Sequence, residues 1–144
     1  MKVVDTALQS APRDAALRFT RAVMLADAGR NDEAMQGFTE LTQEFPELPE
    51  PHNNLATLHA ARGDLDQARA ALENAVRALP AYALAWENLG DVHLRMAERA
   101  WTRAASLDKA SAAQTKLKFA RELIERVSPA GARPAPVNLP GKRP

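Results

Sequence analysis

The chain has 144 residues, of which 46% are hydrophobic and 26% charged, a composition typical of a globular domain. Its 19 basic and 18 acidic residues are spread along the sequence, so no basic surface for a nucleic acid is predicted. The absence of cysteine excludes disulfides and thiolate chemistry, and no apolar run approaches the about 20 residues that a membrane span needs.

The chain repeats itself with a period of 34 residues. Positions that recur at this step are Pro12, Pro46 and Pro80; Gly29 and Gly63; Ala34 and Ala68; and Phe38 and Leu72. A fixed period of this length is typical of stacked supersecondary units. Residues 1–11 match the second helix of a unit, so they are predicted to be a partial repeat. We expect its first helix, and any signal peptide before it, to be missing upstream of Met1.

Residues 15–48 and 49–82 align without a gap, and each is predicted to form two antiparallel helices. In the second unit, two stripes follow the i, i+3, i+4, i+7 spacing of an amphipathic helix. The first holds Leu55, Ala56 and Leu58 with the half-polar ring of His59, and the second holds Ala68, Leu72, Ala75, Val76 and Leu79. Between them, the Gly of "RGDLD" predicts a left-handed helix end and its Asp predicts the start of the next helix.

Residues 83–109 are predicted to be a shortened third unit. Nine residues separate His59 from Ala68, but only four separate the equivalent His93 from Ala97, so five residues containing the turn are missing. Either "VHLR" forms a tight loop or the two helices fuse. Fusion is favoured because one helical period continues across the junction through Trp86, Leu89, Gly90, His93, Ala97, Ala100, Trp101, Ala104 and Leu107.

Residues 111–127 are predicted to be a capping helix that shields the last repeat from water. Ser111 and Gln114 have the spacing of a capping box at its start. Its apolar stripe is Ala113, Leu117, Ala120, Ile124 and Val127. We thus expect one domain over 1–127. Residues 128–144 hold five of the ten prolines and are predicted to be a disordered tail or linker.

The repeated positions resemble those of the tetratricopeptide repeat family, whose pattern is W-x2-L-G-x2-Y, then A-x3-F, then Pro. The third unit supplies Trp86, Leu89, Gly90, His93, Ala97 and Trp101; the second supplies His52, Leu55, Ala56, His59, Ala68, Leu72 and Pro80; the first supplies Ala22, Leu25, Ala34, Phe38 and Pro46. The first unit departs from the pattern with Arg18 and Arg21 at usually apolar places.

The resemblance covers roughly residues 1–110 and implies an all-α, right-handed superhelical solenoid of antiparallel helix pairs. It places Trp86 in the core within its repeat and Trp101 in a second-helix core. The chain is also similar to small tetratricopeptide proteins of the bacterial cell envelope. That likeness implies a periplasmic or envelope location, with the cytoplasm as the alternative.

Catalytic and metal motifs are absent from the sequence. It has no nucleophile motif, no His-Glu metal helix and no phosphate loop. His59 and His93 occupy the place where the family usually has Tyr, which favours helix packing over metal binding. We therefore expect a non-catalytic protein that needs no cofactor and no metal.

The resemblance implies that the first helices of successive units line a concave groove for a peptide segment of a partner protein. The groove residues so implied are Phe19, Thr20, Val23, Asn53, Asn54, Thr57, Glu87, Asn88, Asp91 and Arg95. The equivalent Asn54 and Asn88 could hold a peptide backbone, because an amide both donates and accepts. The basic clamp of chaperone-binding relatives is absent, and Glu50, Glu87 and Asp91 favour neutral or basic segments.

Self-association is the alternative function. If the third unit is one straight helix, then Trp101, Ala104 and Leu107 cannot fold back on Trp86, and each large apolar side chain left in water costs about 1.5–3 kcal/mol. A second copy could supply the missing helix and form a two-fold homodimer. Residues 83–127 would then be a structural oligomerisation module.

Overall fold

The computed structural model describes residues 1–127, which form seven α-helices and no strand. The helices are α1 (Lys2–Ser10), α2 (Ala15–Asp27), α3 (Asn31–Glu44), α4 (Pro49–Ala61), α5 (Leu65–Ala78), α6 (Ala83–Leu107) and α7 (Ala113–Val127). Each packs against the next helix along the chain. This order confirms the predicted all-α solenoid of helix pairs. The predicted tail, 128–144, lies outside the described residues.

The turns after α2 and α4 have the same construction, as the repeat predicts. Gly29 has a φ of 73° and Gly63 a φ of 81°, in the left-handed region that favours glycine. In each turn the next amide donates back to the last helical turn, from Arg30 N to Leu25 O at 2.9 Å and from Asp64 N to His59 O at 3.0 Å. The left-handed helix ends are therefore confirmed. Asp64 does stand at the N-cap of α5, but its side chain makes no capping hydrogen bond.

Two apolar clusters form the core, one per complete unit. The cluster of α2 and α3 contains Phe19, Ala22, Val23, Leu25, Ala34, Phe38 and Leu41, with Leu58 from α4. The cluster of α4, α5 and α6 contains Ala56, Ala60, Leu65, Ala68, Ala71, Leu72, Ala75, Ala85, Leu89 and Val92. Small residues let the helices approach closely, since a Cβ on Gly37 would lie 3.2 Å from Ala22 Cβ.

The two arginines at the family's apolar places join helices through ion pairs. Arg18 of α2 donates to both carboxylate oxygens of Glu44 on α3, at 2.8 and 3.0 Å. The hydrogen bond to Glu44 raises the pKa of Arg18, and the same bond lowers the pKa of Glu44. Arg21 donates to Asp5 of α1 at 2.9 Å, which ties the partial repeat to the first complete unit.

The third unit is one continuous helix, α6, with 25 residues. This confirms the fused alternative and excludes the tight loop at "VHLR". Its first half packs on α5 through Ala85, Leu89 and Val92. Its second half extends past α5, where Arg99 Nη2 donates to the carbonyl of Gly63 at 2.6 Å.

Helix α7 folds back along the second half of α6, as the capping-helix prediction requires. Ala113 and Ala120 are buried, and Arg121 Nε donates to Glu98 Oε1 at 3.0 Å. The predicted capping box is wrong in detail. Ser111 Oγ accepts from the amide of Ala113 at 3.0 Å, two residues on, and the Gln114 side chain donates to the carbonyl of Lys109 at 3.4 Å.

Candidate protein-interaction surfaces

Phe19 and Val23 are core residues and not part of an open groove. Phe19 is 0% exposed, and its ring centroid lies 5.7 Å from that of Phe38 on α3. Val23 belongs to the same apolar cluster. The expectation that both side chains line the groove is therefore wrong, because the first unit uses these positions for contact between helices.

Three of the predicted groove asparagines form a buried row of amides between α4 and α6. Asn88 Nδ2 donates to Asn53 Oδ1 at 2.8 Å, and Asn53 Nδ2 donates to Asn54 Oδ1 at 3.2 Å. None of the three side chains is more than 2% exposed. The structure thus brings Asn88 to Asn53 and corrects the expectation that these side chains are open to water. Their contact with a peptide stays a prediction.

The other predicted groove residues lie beside the amide row. Thr20 and Thr57 are half-buried, and each hydroxyl donates to a carbonyl of its own helix at 2.8 Å. Glu87 is exposed, whereas Asp91 and Arg95 are half-buried. These five side chains are accessible enough to meet a partner, and their role in binding stays a prediction.

Tyr82, at the N-cap of α6, packs against both core clusters and was not among the residues predicted from the sequence. Burial raises the pKa of its phenol to about 12, and the nearby carboxylate of Glu50 adds to the shift. Tyr82 Oη and Glu50 Oε2 are both buried, and neither has a hydrogen-bond partner among the described residues. The signal available in the sequence was that Tyr82 is the only tyrosine and directly precedes the third unit.

His52 and Trp86 occupy the same place in successive units but have different surroundings. His52 Nε2 lies 3.0 Å from the carbonyl of Pro46, and Trp86 Nε1 donates to the carbonyl of Pro80 at 2.9 Å. His52 is 6% exposed and Trp86 is 52% exposed. The prediction that Trp86 lies in the core of its repeat is therefore wrong. Because α6 continues without a turn, no second helix of that unit returns to cover the indole.

Exposed apolar side chains continue from Trp86 to the C-terminal helices. On α6, Trp101 and Ala104 are half-buried, and Leu107 is 70% exposed. On α7, Phe119 and Leu123 are exposed one turn apart. The predicted self-association residues thus include the most exposed large apolar side chain of α6, and their role stays a prediction.

Potential metal-binding clusters do not appear in the part of the chain that the structure describes. Within residues 1–127, no three His, Asp or Glu side chains come together as a potential metal site. Among the same residues, none of the helices has the length and apolar character that crossing a membrane requires.

Comparison with known proteins agrees with the helix-pair architecture. Residues 25–89 match the family model described as tetratricopeptide repeat, a segment that runs from the end of α2 into α6. No curated protein matches the chain. Repeats of this family generally mediate protein–protein interaction. The 34-residue period, the paired helices and this match identify residues 25–89 as tetratricopeptide repeats.

Proposed function

We propose that this protein is a non-catalytic scaffold that binds an extended, neutral or basic segment of a partner protein along the concave side of α2, α4 and α6. The observation that carries the proposal is the charge of this side. Glu50 of α4 and Glu87 and Asp91 of α6 contribute three carboxylates, against one guanidinium from Arg95. Such an excess of one sign attracts and orients a segment of the opposite sign.

The amide row supports the same proposal through hydrogen-bond chemistry. A side-chain amide offers one acceptor and two donor hydrogens, which match a peptide unit of any sequence. Asn53, Asn54 and Asn88 bond to one another and are at most 2% exposed, so a bound segment would reach their amides only after these side chains turned outward and exchanged those hydrogen bonds for bonds to its backbone. The affinity would then come from hydrogen bonds to the backbone of the bound segment, and the selectivity for neutral or basic segments would come from the carboxylates.

Fluorescence anisotropy with the full chain tests this proposal. The probes are two labelled twelve-residue peptides of alternating Pro, Ala and charged residues, one with Arg and the other with Glu. We expect the Arg peptide to bind at least about tenfold more tightly, because like charges on the Glu peptide and the groove repel. Added salt should weaken the Arg peptide's binding.

The matched variants are Glu87→Gln with Asp91→Asn in the groove, and Glu73→Gln on the exposed side of α5. The groove pair should lower affinity for the Arg peptide about three- to tenfold, whereas Glu73→Gln should leave it within twofold. Equal binding of both peptides, or an affinity that the groove pair does not change, would contradict the proposal.

A further inference from the structure

The third unit lacks contacts that the second unit makes within itself. In the second unit, Ala56 of α4 and its partners Ala68, Leu72 and Ala75 of α5 are each 0% exposed. Their equivalents in the third unit are Gly90, then Ala97, Trp101 and Ala104, all on α6. Gly90 is exposed and the other three are half-buried. Each half of α6 therefore carries a packing surface whose ordinary partner is the other half of the same helix.

Both surfaces lie on one face of α6. Trp86, Gly90, His93, Ala97, Ala100, Ala104 and Leu107 recur at steps of three or four residues, so they form a single stripe along the helix. No Asp, Glu, Lys or Arg interrupts the stripe. A continuous helix cannot bring its two halves together, but two antiparallel copies place the first half of each against the second half of the other.

We propose that the occupant of this face is a second copy of the chain, paired antiparallel through α6 in a two-fold homodimer. The first unit supplies the register. A Cβ on Gly37 would lie 3.2 Å from Ala22 Cβ, so these positions touch. Ala22 corresponds to Gly90, which lies two periods later in the chain. Gly37 corresponds to Ala100, which lies two periods later less the five residues of the missing turn. The dimer therefore pairs Gly90 with Ala100 of the partner subunit, where small residues permit close approach.

The same register pairs the exposed apolar side chains. Arg18 and Glu44 join α2 to α3 at 2.8 Å in the first unit, and their equivalents in the third unit are Trp86 and Leu107. Trp86 and Leu107 are 52% and 70% exposed in the single chain. Across the two-fold axis each covers the other, so an ion pair within the first unit is replaced by an apolar pair between subunits. The axis passes between His93 and Ala97 of the stripe, and the contact is closed, which prevents filaments.

A register-specific crosslink tests the proposal directly, since the chain contains no cysteine. The variant carries Gly90→Cys and Ala100→Cys, the positions whose equivalents in the first unit place their Cβ atoms 3.2 Å apart. Along α6 these positions are about 15 Å apart at 1.5 Å per residue, too far for a disulfide within one chain. We expect mild oxidation of the full-length variant to give a covalent dimer with two disulfides. The control, Gly90→Cys with Ala70→Cys on the exposed side of α5, should not give this doubly linked species.

Sedimentation velocity gives the second readout. The natural chain should sediment with twice its monomer mass, and Gly90→Glu should shift it to monomer. The structure leaves open space at Gly90, so this variant should retain its helical circular dichroism. Ala70→Glu on α5 is the matched control and should stay dimeric. A further variant replaces the three residues Leu94–Met96 with the eight residues 60–67, which contain the turn of the second unit. This change restores the five missing residues and should also give a monomer.

A natural chain that is monomeric at all concentrations, or a dimer that Gly90→Glu and the restored turn leave intact, would overturn the proposal. The inference does not depend on the groove. Glu87→Gln with Asp91→Asn should leave the sedimentation unchanged. Gly90→Gln, which adds bulk at this position without a charge beside Glu87 and Asp91, should leave the affinity for the Arg peptide unchanged.

Discussion

Individual residues of this chain take their properties from what covers them and not from their place in the repeat. His52 and Trp86 are equivalent, and both hydrogen-bond to the carbonyl of a proline six residues earlier. The local contact is the same because the two loops are built alike: the amides of Leu48 and Tyr82 each donate to the carbonyl three residues earlier, at 3.1 and 2.9 Å. Their exposure differs because Asn74, Arg77 and Ala78 of α5 lie beside His52, and no helix of the same unit covers Trp86.

Tyr82 allows a test at the residue scale, because it is the only tyrosine. In the folded chain its phenol should ionise at a pKa of about 12, and in denaturant near the ordinary value of about 10. Glu50→Gln should lower the folded pKa, since it removes a negative charge that opposes phenolate formation. The phenolate absorbance, followed with circular dichroism against pH, measures this. The exposed neighbour Glu47→Gln is the control, and a folded pKa of about 10 would contradict the prediction.

The elements follow the repeat pattern at their ends and depart from it where a turn has been lost. Gly29 and Gly63 end α2 and α4 in the left-handed conformation. Between His93 and Ala97 no glycine or proline interrupts the helix formers, so each amide finds its acceptor four residues earlier and α6 continues. Helix length in this chain is thus a local property that the sequence predicts well.

Because Gly29 ends a helix and Gly90 lies inside one, replacing each with alanine should change the free energy of unfolding in opposite directions. Gly29→Ala should lower the free energy of unfolding by about 1–2 kcal/mol, because a Cβ is strained at a φ of 73°. Gly90→Ala should raise it by about 0.5–1 kcal/mol, because Gly90 lies within α6 and has open space for a methyl group. Urea denaturation at a dilution where the chain is monomeric measures both. Changes of the same sign would be evidence against this assignment.

At the scale of the whole molecule, stability should depend on two histidines, the buried His52 and the half-buried His59. Burial lowers the pKa of His52 and of His59 below the ordinary value. Below about pH 6.5 the unfolded chain therefore takes up protons that the folded chain does not, and the free energy of unfolding falls as the pH falls. Above that pH this contribution is fully present.

Thermal denaturation from neutral pH to below about pH 6.5 checks the sign of this pH dependence. The melting temperature should decrease from neutral pH toward acid. His52→Gln should reduce the slope, because glutamine can still donate to the Pro46 carbonyl but does not titrate. A melting temperature that is constant or that rises on acidification would show that the two rings do not control the dependence. A slope that His52→Gln leaves unchanged would show that His52 does not contribute to it.

The sequence by itself determined the repeat period, the helix pairs, the left-handed turns and the continuous α6. All of these depend on residues within a few positions of one another, where the backbone conformation and the apolar period act directly. It also placed the carboxylates of Glu50, Glu87 and Asp91 on the first helices of the second and third units, because the repeat carries each position to its equivalent.

Only the tertiary structure decided which of these positions are buried. Phe19 and Val23 are core residues, Asn88 bonds to Asn53, and Trp86 is exposed. Burial depends on a helix that is distant in sequence, and the lost turn removes that helix from the third unit without changing any residue of its apolar stripe. The sequence of the third unit therefore has the apolar stripe of a core helix, but it does not provide the second helix that packs against this stripe.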